Sequence, residues 1–521
     1  MNRDEIWKRV REHRNPWDMI VIGGGATGVG VAIDGASRGY DVLLLEQSDF
    51  GKGTSSRSTK LAHGGVRYLE QGNLSLVMEA LKERGLLLQN APHLVHDLAF
   101  VVPNYEWWEA PFYGIGLKLY QLLAGKYGFG KSRLLSREET LERLPTIKTE
   151  GLRGGAIYYD GQFDDSRLLT HMAITAFEQG AALLNYFEVT GLAKDSQGFV
   201  DGVIARDAET GEELRAWGKV VVNATGAFAD RLRRAADPSV APMIAPSQGI
   251  HLVFKSDFLP ANSAIMVPHT SDGRVLFAIP WHDHVMVGTT DTPVSTSTLE
   301  PVALDSEVEF ILSTAAQYLT RSPTRADVLS VFAGIRPLVR AEGVANTAAL
   351  SRDHVIHIDS SGLMTVCGGK WTTYRRMAED CVDQAATLAQ LPERPCLTRD
   401  LKIHGFQSSS EDLGPLAVYG SDAAEIGKLI ADNPALGETL HPDLPYLKAQ
   451  VIWAVRHEMA RTIEDVLARR TRALFLNARA ALAMAPAVAD LMAPEMKWDA
   501  VATQKQLAAF REVAANYVLH T

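Results

Sequence analysis

Apolar and polar positions follow two different rhythms along the chain. Residues 18–22 form a short apolar run, 23–30 a glycine-rich turn, and 29–38 a stretch of small residues with helical spacing that Gly39 breaks. A second apolar run, DVLLLE, follows at 41–46. Strand, turn, helix and strand in that order make a βαβ unit, which predicts a parallel sheet covered by helices. The runs KVVVNATG (219–226) and GLMTVCGGK (362–370) read as further strands of that sheet, the second leading into a helix through Ala386. Between them the rhythm changes. GIHLVF (249–254), RVLFAIP (274–280) and HVMVGTT (284–290) are short runs separated by turn residues, and HDHV carries a polar hairpin tip. These predict an antiparallel hairpin or meander. Because the two architectures alternate, domains discontinuous in sequence are expected. From about 410 the chain is rich in Ala and Leu. Within 451–476 the apolar positions Val451, Val455, Met459, Ile463, Val466, Leu467 and Leu474 predict one helix face. The segment 405–414, GFQSSSEDLG, is the expected linker, and 415–521 the expected helical domain.

Composition narrows the class without changing this picture. The chain has 521 residues, 46% apolar and 22% charged, which suits several globular domains and excludes disorder as the main state. The formal charge of −10 argues against a nucleic-acid binder working through a basic field. Three cysteines, Cys367, Cys381 and Cys396, form no CxxC pair. A disulfide scaffold or structural zinc site is not expected, and the usage suits a reducing cytosol. The segment MNRDEIWKRVREHRNPW lacks the apolar stretch of a signal peptide, and no run of 18 apolar residues predicts a membrane span.

The chemistry begins at GGGATG, residues 23–28. In this GxGxxG, Gly23 suits a tight turn, Gly25 lets backbone approach a pyrophosphate, and Gly28 lets the helix pack close to the strand. The helix N-terminus then faces the diphosphate with N–H groups and a partial positive charge. Glu46 ends the second strand where a ribose-binding acid belongs, so NAD or FAD fits better than NADP. The hydroxyl- and glycine-rich loop GTSSRSTKLAHGGVRYLEQG (53–72) favours the longer FAD.

At these residues the chain resembles the FAD-dependent, aerobic-type glycerol-3-phosphate dehydrogenase family of the D-amino-acid-oxidase-like flavoproteins. The resemblance is carried by IVIGGGATGVGVAIDGASRGYDVLLLE, TSSRSTKLAHGGVRYLEQG, NATGAFAD, IPWHDHVMVGTTD, SVFAGIRPLV, SRDHVIHI and CGGKWTTYRRMAED, spanning residue 18 to about 380. Arg57 departs from it, standing where smaller residues are common. The resemblance implies an α/β + α fold: a Rossmann-like FAD-binding domain (16–72, 150–240 and 345–400) interleaved with a mixed, antiparallel-sheet substrate domain (73–149 and 241–344), then an all-α C-terminal domain (401–521). It implies one non-covalent FAD, held by Gly23, Gly25, Ala26, Thr27, Gly28, Glu46, Gln47, Thr54, Ser55, Ser56, Ser58, Lys60, Leu61, His63, Gly64, Gly65, Ala224, Thr225, Gly226, Gly334, Gly369, Lys370, Thr372 and Thr373. The implied reaction is oxidation of sn-glycerol 3-phosphate to dihydroxyacetone phosphate, with hydride passing from C2 to flavin N5 and electrons to a membrane quinone. An oxygen-reducing oxidase of the same fold and a catalytically silent dinucleotide-binding module are the rival readings.

A phosphate calls for cations, preferably the planar fork of Arg. Arg67, Arg336, Arg352 and Lys370 sit in the matching blocks, and the division of labour among them stays open. The resemblance places Arg336 above the flavin beside the reacting carbon. It makes His251, in QGIHLVF, the candidate general base, since imidazole titrates near neutral pH. His251, Arg336 and Lys370 are therefore the expected catalytic set, with Arg67, Tyr68, Arg352 and Tyr374 as further substrate contacts. Amides of 368–373, ahead of a helix starting near Thr373, suit the negative edge of a reduced flavin. Cys367 reads as a small buried hydrophobe. His282, Asp283 and His284 read as a hairpin tip, with no metal site expected. The segment 105–128, with Trp107, Trp108, Phe112, Tyr113, Lys118 and Lys126, reads either as an interfacial membrane segment or as a core helix. A basic stretch at Arg456, Arg461, Arg469, Arg470 and Arg472 is the C-terminal alternative for docking. The expected location is cytoplasmic, on the inner face of the cell membrane. No nucleic-acid partner is expected, and a homodimer is one open arrangement.

Overall fold

A computed structural model describes residues 1–65, 73–106, 108–267, 270, 275–340 and 353–520. The βαβ unit forms as its pattern predicts. Strand Met19–Ile22 lies parallel to Val42–Leu45 on one side and to Val221–Asn223 on the other. All three strands are fully buried, which explains runs that are apolar at every position. Ala182–Leu184 extends one edge in parallel, while Met364–Gly368 and the antiparallel His354–Ile358 extend the other. The glycine turn is shorter than expected: its helix already starts at Ala26 and runs to Ser37.

The second sheet is long and mixed. Among the described residues its order runs Thr292–Pro293, Ile244–Lys255, His284–Gly288, Leu276–Trp281, Ser263–Val267, Val95–Asn104, Gly154–Phe163 and Leu61–Ala62. Ser330–Val339 pairs antiparallel with Ile244–Lys255 along ten residues, from Ile244↔Val339 to Val253↔Ser330. The hairpin of 276–288 turns at His282 and Asp283, both at left-handed φ (47° and 57°). Two segments that the sequence groups with the dinucleotide domain pair here instead. Gly154–Phe163 joins Val95–Asn104, and Leu61–Ala62 joins Gly154–Phe163. An apolar run shows that it will be buried, but not which sheet its backbone will pair with.

The C-terminal region is helical, with one short hairpin, Thr439–His441 against Leu444–Leu447. The expected single helix over 451–476 is three pieces: Lys448–His457, a π-helical turn Asp465–Arg470, and Ala473–Leu476. Met459 and Arg472 adopt left-handed φ (56° and 61°) and break it. The apolar positions are buried all the same, Val455 only in part, and Val466, Leu467 and Phe475 share one core with Trp281, Met286 and Phe332 of the long sheet. The arginines of this stretch are engaged in ion pairs, three of them buried. Arg469 and Arg470 are buried against Asp49, Arg472 against Asp164, while Arg456 and Arg461 pair with Glu495 and Glu209. Their charge closes the junction between the C-terminal region and the loop after Glu46.

Helix Glu109–Ala124 bears out the core-helix reading of the segment 105–128 on one face and leaves the other face in solvent. Tyr113, Leu117, Tyr120 and Ala124 enter the core, whereas Phe112, Ile115, Leu119 and Leu122 stay exposed. Trp108 is exposed too, and Trp107 lies outside the described residues. Among the described residues no helix is long and apolar enough to cross a membrane.

Candidate active site

Two adjoining cavities open between the sheets. The larger, about 1280 Å³, follows the carboxyl ends of the parallel strands. Gly23, at φ 111°, forms its floor; a Cβ there would sit 2.6 Å from the carbonyl oxygen of Ala224. Gly28 lies behind the floor, and its Cβ would fall 1.9 Å from the carbonyl oxygen of Gly23, so only glycine lets helix and turn meet. The helix cap is Gly25, which has no side chain to satisfy the first-turn amides; the Ala26 N–H donates to Ser55 Oγ at 2.9 Å. An uncapped N-terminus over a glycine floor is a cradle for a diphosphate. Glu46 sits at the rim, accepting from the N–H groups of Gly24 (2.6 Å) and Ser48 (2.8 Å). Burial raises its pKa, and those two amides oppose the rise. Each carboxylate oxygen keeps a lone pair for a ribose hydroxyl.

Most expected cofactor residues meet here. Gly23, Gly25, Ala26, Thr27, Glu46, Gln47, Thr54, Ser55, Ala224, Thr225, Gly226, Gly369 and Lys370 all line this cleft, and so does Tyr374, expected as a substrate contact. Phe187, Glu188 and Val189 line it as well and were missed, because a strand edge carries no motif.

The second cavity, about 970 Å³, shares Thr54, Gly369, Lys370 and Trp371 with the first. Ser58, Leu61, His63, His251, Gly334, Arg336 and Thr372 complete the expected set around it. Arg336 comes from Ser330–Val339 and donates from Nη2 to Thr289 Oγ1 at 3.0 Å, with Asp291 at 3.6 Å. Its guanidinium lies over Gly249, where a Cβ would come within 2.3 Å of Nη2. The Trp371 indole N–H donates to the Ser55 carbonyl at 2.9 Å, tying the GGK turn to the hydroxyl-rich loop. Arg57, Arg336 and Lys370 line this cavity, and among the described residues no carboxylate does.

His251 is buried, stacks on Phe332 (4.9 Å, 17°) and meets Thr59 Oγ1 through Nε2 at 3.0 Å. Burial pushes its pKa well below the ordinary value, and the charges of Lys60 and Arg336 push the same way. All three influences favour the neutral imidazole. Burial also drives the Cys367 thiol up to about 12, consistent with an inert side chain.

Gly28, Ser56, Lys60, Gly64, Gly65 and Thr373 line neither cavity. Lys60 in particular commits its ammonium to Asp165 and to the Ser56 carbonyl. Arg67, Tyr68 and Arg352 lie outside the described residues. Thr59 and Trp371 fall inside recognised blocks, yet spacing alone does not tell which hydroxyl or indole turns inward.

The chain is similar to known proteins over most of its length. Residues 18–375 match the family model described as FAD-dependent oxidoreductase, and 366–503 match the C-terminal domain of alpha-glycerophosphate oxidase. The chain is 41% identical to the mitochondrial glycerol-3-phosphate dehydrogenase of Arabidopsis thaliana, over 96% of this chain and 86% of that one. It is 40% identical to the mitochondrial glycerol-3-phosphate dehydrogenase of Homo sapiens, over 96% and 73%. The crystal structure of the glycerol-3-phosphate dehydrogenase of Bacillus halodurans complexed with FAD superposes with a TM-score of 0.81 at 30% identity, covering 99% of this chain and 98% of that one.

Proposed function

Because the chain belongs to the FAD-dependent oxidoreductase family, among its glycerol-3-phosphate dehydrogenases, we propose that it oxidises sn-glycerol 3-phosphate to dihydroxyacetone phosphate and delivers the electrons to a membrane quinone. One observation carries the substrate assignment: the cavity beside the dinucleotide cleft is lined by Arg57, Arg336 and Lys370 and, among the described residues, by no carboxylate. Glu300 meets Arg57 at 2.9 Å and Asp291 stands 3.6 Å from Arg336, but both carboxylates stay off the lining, so the surface offered to a ligand is cationic and favours an anion over a neutral polyol.

Bound FAD supplies the two-electron acceptor for the C2 hydrogen. This chain does the rest. Arg336 and Lys370 hold the phosphate and so fix the distance of C2 from the cleft. His251 takes the proton of the C2 hydroxyl, a role that fits its neutral state. Arg67, Tyr68 and Arg352 are expected to join them, and Tyr374 lines the adjoining cleft rather than the cationic cavity.

The membrane part of the reading rests on helix Glu109–Ala124. Trp108, Phe112, Ile115, Leu119 and Leu122 form an exposed apolar face, with Lys118 exposed beside them. Such a face suits partial insertion at the headgroup level, on the cytoplasmic side where a quinone-linked dehydrogenase meets its acceptor.

The test is anaerobic. The purified flavoprotein should bleach on addition of glycerol 3-phosphate and not with glycerol. A quinone analogue should then restore the colour faster than air does. Equal bleaching by glycerol overturns the phosphate reading, and rapid peroxide release in air overturns the quinone.

A further inference from the structure

Lys60 is fully buried, at left-handed φ (62°), yet lines neither cavity. Its ammonium meets three acceptors: Asp165 Oδ1 (2.8 Å), Asp165 Oδ2 (2.7 Å) and the Ser56 carbonyl (2.7 Å). Three aromatic rings surround it, those of Trp281, Phe332 and Phe475, with centroids 5.1–5.3 Å away. Asp165 also accepts from Ser58 Oγ at 2.7 Å, and Ser58 Oγ accepts from the Lys60 N–H at 3.0 Å. Both neighbours of Thr59 are therefore pinned to one carboxylate. Thr59, held between them, places Oγ1 at 3.0 Å from His251 Nε2. The His251 ring stacks on Phe332, the same ring that packs against the Lys60 ammonium.

We propose that the buried Lys60–Asp165 ion pair is a positioning device for His251, locking the 56–60 turn so that the Thr59 hydroxyl orients the imidazole for proton transfer. A buried ion pair is a costly way to gain stability alone, since an apolar pair of similar volume often does as well. Here it fixes one hydroxyl against one ring nitrogen, which sets the plane of the imidazole. The charges around His251 are Lys60 with Asp165 on one side and Arg336 with Asp291 on the other, while Arg57, Lys370 and His63 line the same cavity. Both nearer cations work to keep His251 neutral. The inference rests on His251 being the base, so its test must separate the two ideas.

The test uses the full-length, FAD-loaded protein and anaerobic flavin bleaching by glycerol 3-phosphate from pH 5 to 9.5, with flavin content and unfolding midpoint measured alongside. The double variant K60M/D165N leaves no orphan charge. It should retain FAD, bleach roughly tenfold or more slowly at pH 7, and show its acidic limb at higher pH, because losing the ammonium lets His251 protonate more readily. If that variant does not fold, Thr59→Val carries the test, as it changes one hydroxyl. It should lower the bleaching rate by about tenfold with little change in the substrate concentration at half-maximal rate, and Thr59→Ser should recover most of the loss. Wild-type rates in Thr59→Val, or wild-type rates and an unshifted acidic limb in a folded K60M/D165N, overturn the proposal. His251→Gln separates the premises. If it bleaches normally, the base reading fails and this inference fails with it. If it is slow while Thr59→Val and K60M/D165N match the wild type, only the positioning role fails.

Discussion

Arginine does opposite work in two buried regions of this molecule. At the C-terminal junction Arg469 and Arg470 bind Asp49, Arg469 also reaches Glu464 and Asp465, and Arg167 binds Glu458. Every cation there faces carboxylates of comparable number. Burial favours protonation of Asp49, but the two arginines outweigh it and hold its pKa down to about 2. In the cationic cavity Arg57 pairs with Glu300 at 2.9 Å and Asp291 stands 3.6 Å from Arg336, but among the described residues no carboxylate is part of the lining itself. Balanced buried charge closes on itself and serves the fold. Cations on a cavity wall, with their carboxylates set off the lining, leave a surface that suits an anion. The side chains at 469–472 that look like a docking surface in the sequence are structural, whereas Arg336 faces a cavity.

The sharpest break of that contrast is Arg470→Met. It strips Asp49 of two hydrogen bonds, at 2.7 and 2.9 Å, inside the junction. Removing one partner of a buried pair costs about 3–5 kcal/mol, so chemical denaturation should show a loss of that order while kcat/KM of the folded fraction stays within about twofold. Arg336→Ala should do the reverse. A charge-assisted hydrogen bond is worth about 1.5–3 kcal/mol, so kcat/KM for glycerol 3-phosphate should fall by roughly tenfold to a hundredfold. Its flavin content and unfolding midpoint should hold. A large loss of stability in Arg336→Ala, or of turnover in Arg470→Met, would erase the distinction.

Two histidines sharpen it further. Burial disfavours charge on both, but His404 hydrogen-bonds Asp422 (2.8 Å) and Glu178 (2.7 Å), which outweigh burial and raise its pKa to about 9. With a folded pKa above the unfolded value, its contribution is complete below about pH 6.5 and is lost as pH rises through about 9. His404→Gln should therefore destabilise the protein by about 1–2 kcal/mol at pH 6 and by little at pH 10, read as urea midpoints at the two pH values. His251, pushed down by burial and by cations, should show no such stabilising charge near neutrality. The smallest effect on chemistry belongs to the exposed face of helix Glu109–Ala124. Trp108→Ser with Phe112→Ser should weaken liposome co-sedimentation and quinone reduction, and leave activity with a soluble dye within about twofold.

Much of the dinucleotide cleft was legible in the residues themselves. Gly23, Gly25, Gly28 and Glu46 belong to one βαβ unit, and the backbone needs of that unit are met within it. Sterics at a turn and the dipole of a helix are local, so their signature is local too. The break at Met459 and Arg472 was not legible, because a helix-period pattern records which side chains are buried and not whether the backbone stays continuous between them. Nor was the fate of Lys60 or of the arginines at 469–472. A cation's role depends on which carboxylate it meets, and Asp165 and Asp49 are more than a hundred and more than four hundred positions away.

The sequence alone determined that this chain builds a parallel sheet with a diphosphate cradle at its glycine turn, and that its hydroxyl-rich and GGK blocks belong with it. Only the tertiary structure decided that Leu61–Ala62 and Gly154–Phe163 pair in the other sheet, that Thr59 meets His251, and that Arg336 faces a cavity while Arg470 faces Asp49. The reason is the range of the interaction. Backbone geometry and side-chain periodicity are written in neighbouring residues, whereas strand pairing and buried charge are settled by groups that become neighbours when the chain has folded.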